Sequence, residues 1–180
     1  MRRTVYFDPS VSARSFTSAE MAFVMAVLND ARAWGYSWAL AEQRQTADWI
    51  VALEAQWYID QRIAEHASPM QRKSATLSSG LSVTFMRESP RRSFLSLENW
   101  SRVPKPVARV YSIQDYRTYL VLHECGHSLG LQHSRCRAGQ LAPIMMQQTR
   151  GLRACRSNLW PLAYERSKVR RRSRRPLRFI

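Results

Sequence analysis

His123-Glu124-Cys125-Gly126-His127-Ser128-Leu129-Gly130-Leu131-Gln132-His133 reads H-E-x-x-H-x-x-G-x-x-H. On a helix, His123 and His127 are four residues apart and project from one face, one turn above the other. Two imidazole nitrogens in that position suit a single tetrahedral Zn²⁺. Glu124, beside the first ligand, is placed to act on a water rather than on the metal. Gly130 is where the helix can stop, because glycine enters the left-handed conformation without a Cβ penalty. The chain can then turn back and offer His133 as a third nitrogen. Three protein ligands and an open position describe a catalytic site rather than a structural one. A lone helical histidine is by default a satisfied core or surface residue. Here three of the four histidines fall within eleven residues.

The rest of the chain sets the frame around this segment. Its 180 residues suit one domain able to bury its own core. Hydrophobic residues make up 45% and charged residues 23%, proportions that fit a globular chain. The net charge of +15 is unevenly spread. Glu165–Ile180 holds eight Lys/Arg against one acid, which leaves 20 basic and 12 acidic residues for 1–164. The opening residues, Met1 to Pro9, lack the apolar centre of a signal peptide. The longest apolar run, Met21–Leu28, is far too short for a membrane span, so none is expected.

Period and punctuation give a coarse element order. Thr4–Phe7 reads as a strand closed by Asp8-Pro9. Thr17 or Ser18 caps a helix over Ala19–Ala33, ended by Gly35, with Phe23, Val24, Val27 and Leu28 at helical spacing. Tyr36–Ala41 alternates Tyr36, Trp38 and Leu40 on one side, and Ala47–Leu53 alternates Trp49, Val51 and Leu53, so both read as strands. Gln56–Glu65 is a short helix, and Ser68–Ser79 is a polar loop. Leu81–Met86 and Ser93–Leu97 are strands separated by the turn Glu88–Arg91. Pro104 and Pro106 mark a loop, and Gln114 or Asp115 opens the helix that carries the histidines. The expected order is β-α-β-β-α-β-β-α, followed by a less regular region.

The eleven-residue segment resembles the zinc signature of the metzincin metallopeptidases. More narrowly, Tyr116–Leu122, Ala142–Thr149, Gly151-Leu152, Cys155 and Asn158–Pro161 resemble an actinobacterial-type metzincin-like domain of unknown function. Leu28–Trp34 and Leu97–Trp100 fit it more loosely, and the resemblance spans about residues 5–161. The resemblance implies an α+β fold with a twisted, mostly parallel five-stranded sheet, a backing helix and an active-site helix. An irregular C-terminal subdomain would follow and carry a Met-turn. A single domain over 1–164 is expected, divided into upper (1–130) and lower (131–164) subdomains, with 165–180 a flexible basic tail. The Met-turn falls on Ala142–Gln147, with Met145 favoured and Met146 the alternative. By resemblance, the strand before the cleft (Leu81–Met86) binds an extended peptide by strand addition.

The implied activity is zinc-dependent hydrolysis of peptide bonds. His123, His127 and His133 would bind Zn²⁺, and Glu124 would be general base to a zinc-activated water. Many metzincins place a tyrosine just after the Met-turn, but Gln147-Gln148-Thr149 offers none, and Tyr164 reads as a loop or packing residue. Cys125 reads as a small buried hydrophobe. The resemblance also implies that Cys136 and Cys155 are a disulfide pair. That bond would point to an oxidising or extracellular setting. A second reading belongs to another class. The basic segment 166–178 could engage nucleic acid or another acidic surface, with zinc only stabilising a catalytically silent fold. A base at Glu124 counts against that reading.

Overall fold

The computed structural model describes residues 1–66 and 81–173. The strands are β1 (Arg2–Phe7), β2 (Ser37–Leu40), β3 (Trp49–Glu54), β4 (Val83–Phe85) and β5 (Arg91–Ser96). The α-helices are α1 (Ser18–Asn29), α2 (Gln56–His66), α3 (Leu97–Ser101), α4 (Ile113–Ser128) and α5 (Ala163–Ser173). The strands form one sheet in the order β2-β1-β3-β5-β4. β1, β2, β3 and β5 run parallel, and β4 lies antiparallel on β5, with Phe85 opposite Arg92. The fold is therefore α+β around a five-stranded, mostly parallel sheet. No helix among the described residues is long and apolar enough to cross a membrane.

Burial of β3 explains the layering. Alternation places Trp49, Val51 and Leu53 on one face, and all three join the main core with α1 and α4. Ile50, Ala52 and Glu54 are buried as well, because α2 covers the other face through Ile59 against Ala52 and Phe94. A central parallel strand enclosed on both faces reads as a continuous buried run rather than an alternation.

Glu54 is 1% exposed at the end of β3. It accepts hydrogen bonds from the backbone N–H groups of Val11 (3.0 Å) and Ser12 (3.0 Å) and from the Ser10 and Ser12 hydroxyls (3.0 and 2.6 Å). These charge-assisted bonds satisfy the loop that leads from β1 to α1.

Several expectations are corrected. The helix expected over Ala19–Ala33 stops at Asn29. The Asn29 side chain leaves the helical pattern to receive Trp38 N–H (2.8 Å) and donate to Trp38 C=O (3.1 Å). Thr17 is its cap, in a reciprocal capping box with Glu20. Leu40 does not share a buried face with Trp38. It is 60% exposed, because β2 is an edge strand whose end leaves the core. The expected loop Ser68–Ser79 lies outside the described residues.

The boundary expected between 164 and 165 falls inside α5, and the segment expected to be a flexible tail is helical as far as Ser173. Glu165 and Val169 are each 1% exposed and dock this helix on the body of the domain. Arg174, Arg175 and Arg178 lie outside the described residues.

Cys136 and Cys155 form a disulfide, with Cα atoms 6.4 Å apart. Cys125 is a free, fully buried cysteine.

Replacing Glu54 by Ala leaves two part-buried backbone donors and two hydroxyls without their acceptor. The expected cost is about 3 kcal/mol. Urea denaturation should show a lowered midpoint with an unchanged slope. An unchanged midpoint would mean that this carboxylate does not hold the 10–12 loop.

Candidate metal centre

Helix α4 begins one or two residues earlier than expected, at Ile113. Ser112 is its cap, accepting from Asp115 N–H (3.1 Å), while the Asp115 carboxylate accepts from Ser112 N–H (3.1 Å). Residues 118–128 are all buried, so the helix is wrapped on every side rather than amphipathic. Trp34, itself buried, donates to the Leu122 carbonyl at 3.0 Å and fixes the helix from behind. The helix ends as the glycine spacing predicts. Gly130 has φ 91°, Gly130 N–H reaches His127 C=O (2.8 Å), and Leu131 N–H reaches Gly126 C=O (2.9 Å). This pair of bonds is a Schellman motif.

That reversal builds the site. The Leu131 carbonyl returns to His127 Nδ1 at 2.8 Å, and His133 Nε2 comes to 3.1 Å from His127 Nε2. The Ile144 carbonyl meets His123 Nδ1 at 2.7 Å. A carbonyl only accepts, so the protons of His123 and His127 sit on Nδ1 and their Nε2 lone pairs are free. One ligand nitrogen from each of His123, His127 and His133 lies within 4.8 Å of the others. Two nitrogens held at about 2.0–2.1 Å from one tetrahedral ion would be roughly 3.3 Å apart, close to the His127–His133 separation. Burial, and then the neighbouring imidazoles, push His123 well below the usual histidine range and His127 down to about 4. His133 is lowered by burial first and by the charge of Arg150 second. Neutral imidazoles with inward lone pairs are what a metal requires. The three histidines could therefore hold a metal ion.

Glu124 is buried beside them. Burial pushes its carboxyl up to about 7, opposed by the hydrogen bond from Thr84. The Thr84 hydroxyl on β4 donates to Glu124 Oε2 at 2.6 Å, Thr84 and Ser93 hydroxyls are 2.6 Å apart, and Trp49 Nε1 donates to Ser93 at 2.7 Å. The indole can only donate and an ionised carboxylate can only accept. Both hydroxyls are thereby oriented toward Glu124.

Beneath the histidines the chain makes a turn at Pro143–Met146, closed by Met146 N–H to Pro143 C=O at 3.0 Å. Of the two methionines, Met145 packs its sulphur against α4. A Cβ at Gly126 would run into Met145 Sδ and lie 2.8 Å from Trp34 Cζ2. The Glu165 carboxylate accepts from Ile144 N–H (3.1 Å), Met145 N–H (2.9 Å) and Leu162 N–H (2.9 Å). Tyr119 donates to Met146 C=O (2.9 Å), accepts from Gln148 N–H (2.9 Å) and lies 3.3 Å from His123 Nδ1.

The structure thus brings together His123, Glu124, His127, His133, Gly130 and Met145. Sequence reading missed Thr84, Gly126, Tyr119 and Glu165. Alternation carried a signal for Thr84, because it falls on the strand face opposite Val83 and Phe85. Glu165 carried only a faint one, as the sole acid in a basic segment. Tyr164 lies on the first turn of α5, 44% exposed, and lines a cavity of about 380 Å³ with His133 and Met145.

Residues 7–167 match the family described as Protein of unknown function (DUF3152), and the chain belongs to that family. No curated protein matches the chain.

Gly126→Ala sets two effects against each other. Alanine gains up to about 1 kcal/mol of helix propensity. Overlap with Met145 and the pinned Trp34 ring costs about 1–3 kcal/mol. The contact should win, giving a net loss of about 1–2 kcal/mol in chemical denaturation of metal-free protein. Adding Met145→Ala should cost less than the sum of the single changes. Strict additivity would show that the two residues do not meet.

Proposed function

We propose that this member of the DUF3152 family is a zinc-dependent metallopeptidase of the metzincin type, hydrolysing peptide bonds with Glu124 as general base. The observation that carries the reading is the convergence of three neutral imidazoles from one helix and its return segment on a point flanked by a buried carboxylate of the same helix. The donor set fits zinc: three nitrogens, two of them with Nδ1 anchored by backbone carbonyls, and no thiolate or carboxylate among them. His123, His127 and His133 would hold the ion. Bound there, zinc supplies Lewis-acid polarisation of the scissile carbonyl and an acidified water.

The chain's own groups do the rest. Glu124 takes a proton from the attacking water and delivers it to the leaving amine. A carboxyl whose proton affinity lies near neutrality can do both. Thr84, oriented through Ser93 and Trp49, holds Oε2, so the proton is carried on the other oxygen. Several features beyond the histidines support the metzincin reading. β4 is the antiparallel edge strand of the described sheet and touches Glu124 through Thr84, where an extended peptide could add as a further strand. The Met145 sulphur under α4 fits a Met-turn. A purely structural zinc site would have no use for a buried, oriented carboxylate at Glu124, which disfavours the catalytically silent alternative.

Purified protein should contain about one zinc per chain, and His127→Ala should lose it. Glu124→Gln should keep zinc and the fold while cleavage of a peptide library falls by ~10²–10⁴-fold. Undiminished cleavage by Glu124→Gln would remove the proposed base. Metal-free protein from a zinc-replete preparation would sink the site itself.

A further inference from the structure

A second cavity, of about 470 Å³, shares His133 and Ser134 with the cavity that Tyr164 lines. His133, Arg135, Cys136, Met146, Arg150 and Arg153 are among the residues that line it. Three lining residues are exposed arginines, and no acid lines it. Its size is that of a ligand site rather than of a surface dimple. His133 itself lines this cavity, so the cationic wall adjoins a candidate metal ligand.

The backbone constrains the two segments that carry Arg135 and Arg153. Arg153 adopts a left-handed conformation, φ 54°, and lies between Gly151 (φ 101°) and Cys155. The Cys136–Cys155 disulfide ties together the two segments that carry Arg135 and Arg153. A non-glycine residue at positive φ is uncommon, and here the disulfide two residues on fixes the loop that carries it. The cavity on the Tyr164 side is lined by Lys168 and Arg171, and its one acid, Glu165, is engaged by three backbone N–H groups. Both flanks of His133 therefore present positive charge.

We propose that the arginine-lined cavity beside His133 is a specificity subsite that takes an acidic side chain, Asp or Glu, of a peptide lying across the metal centre. This rests on the metallopeptidase reading and names its substrate class. Guanidinium forks recognise carboxylates in a planar, two-point manner that ammonium groups do not match. The concave shape and the shared residue His133 favour a peptide side chain over nucleic acid, whose phosphates call for a long basic track.

The test uses binding, so that it does not depend on turnover. Glu124→Gln protein loaded with zinc is titrated with fluorescent peptides matched in all but one position, Asp/Glu against Asn/Gln, at constant salt. The acidic peptides should bind about fivefold to tenfold tighter. Arg135→Glu and Arg153→Glu should abolish that preference and favour Lys at the same position. Arg2→Glu, on β1 three strands from β4, should change neither affinity. Equal affinity for acidic and amide peptides overturns the proposal. So does a preference that Arg2→Glu reduces as much as Arg153→Glu does, which would be general attraction to a basic protein. An oligonucleotide that displaces the peptides and responds to the same two variants assigns the cavity to nucleic acid instead. Failure of wild-type protein to cleave any peptide bears on the hydrolase reading alone, because the binding arms are read on a variant that lacks the base.

Discussion

Two backbone carbonyls, those of Ile144 and Leu131, decide which nitrogen of His123 and His127 faces the centre. Much of the site can be traced to what places those two oxygens. The Leu131 carbonyl is placed by the Schellman turn at Gly130, which needs a residue free to take φ 91°. The Ile144 carbonyl is placed by the turn at 143–146, whose backbone N–H groups are held by Glu165. Helix α5 thus belongs to the site although it lies far along the chain and touches none of the metal-facing nitrogens. The close approach of Met145 to Gly126 completes the clamp, since any larger residue at 126 would push the turn, and with it the Ile144 carbonyl, away from α4.

What the sequence made legible follows from the range of the interactions. The spacing of the three histidines, Glu124 and the glycine is a local property of one helix and its end, so the clustering of the histidines and the helix end at Gly130 could be read directly. The shared side of Trp49, Val51 and Leu53 was legible for the same reason, although the burial of the opposite side of that strand by α2 was not. Leu40 was not, because alternation says which residues share a side but not where an edge strand leaves the core. The end of α1 was misplaced because Asn29 bonds to the backbone of β2, a contact between separate elements that overrides helix propensity. Thr84 was hidden by the same kind of range: its partner Glu124 is 40 residues away. Helix α5 was hidden by charge. A run of Lys and Arg reads as a solvated tail, and its anchoring residues, Glu165 and Val169, are too few to show as a period.

The distribution of acids explains why the region around His133 is so basic. Among the described residues, six of the acidic side chains sit in ion pairs (Asp8, Glu20, Asp30, Asp48, Glu65 and Glu88). Glu54, Glu124 and Glu165 are buried against donors. Asp115 caps α4. With 13 acids against 28 Lys and Arg, such engagement leaves the surface with an unbalanced positive field. Such a field opposes a divalent cation, so on the proposed reading any metal affinity at the histidines would rest on short-range geometry, including the oriented lone pairs of His123 and His127, rather than on long-range attraction. The same field favours an anionic ligand in the adjoining cavity. The two demands are met by separating them in space. The buried nitrogens of His123 and His127 face the three-histidine cluster, while Arg135, Arg150 and Arg153 line the cavity that the exposed His133 also lines. On the proposed reading, such a site would admit a metal by coordination and select a peptide by charge.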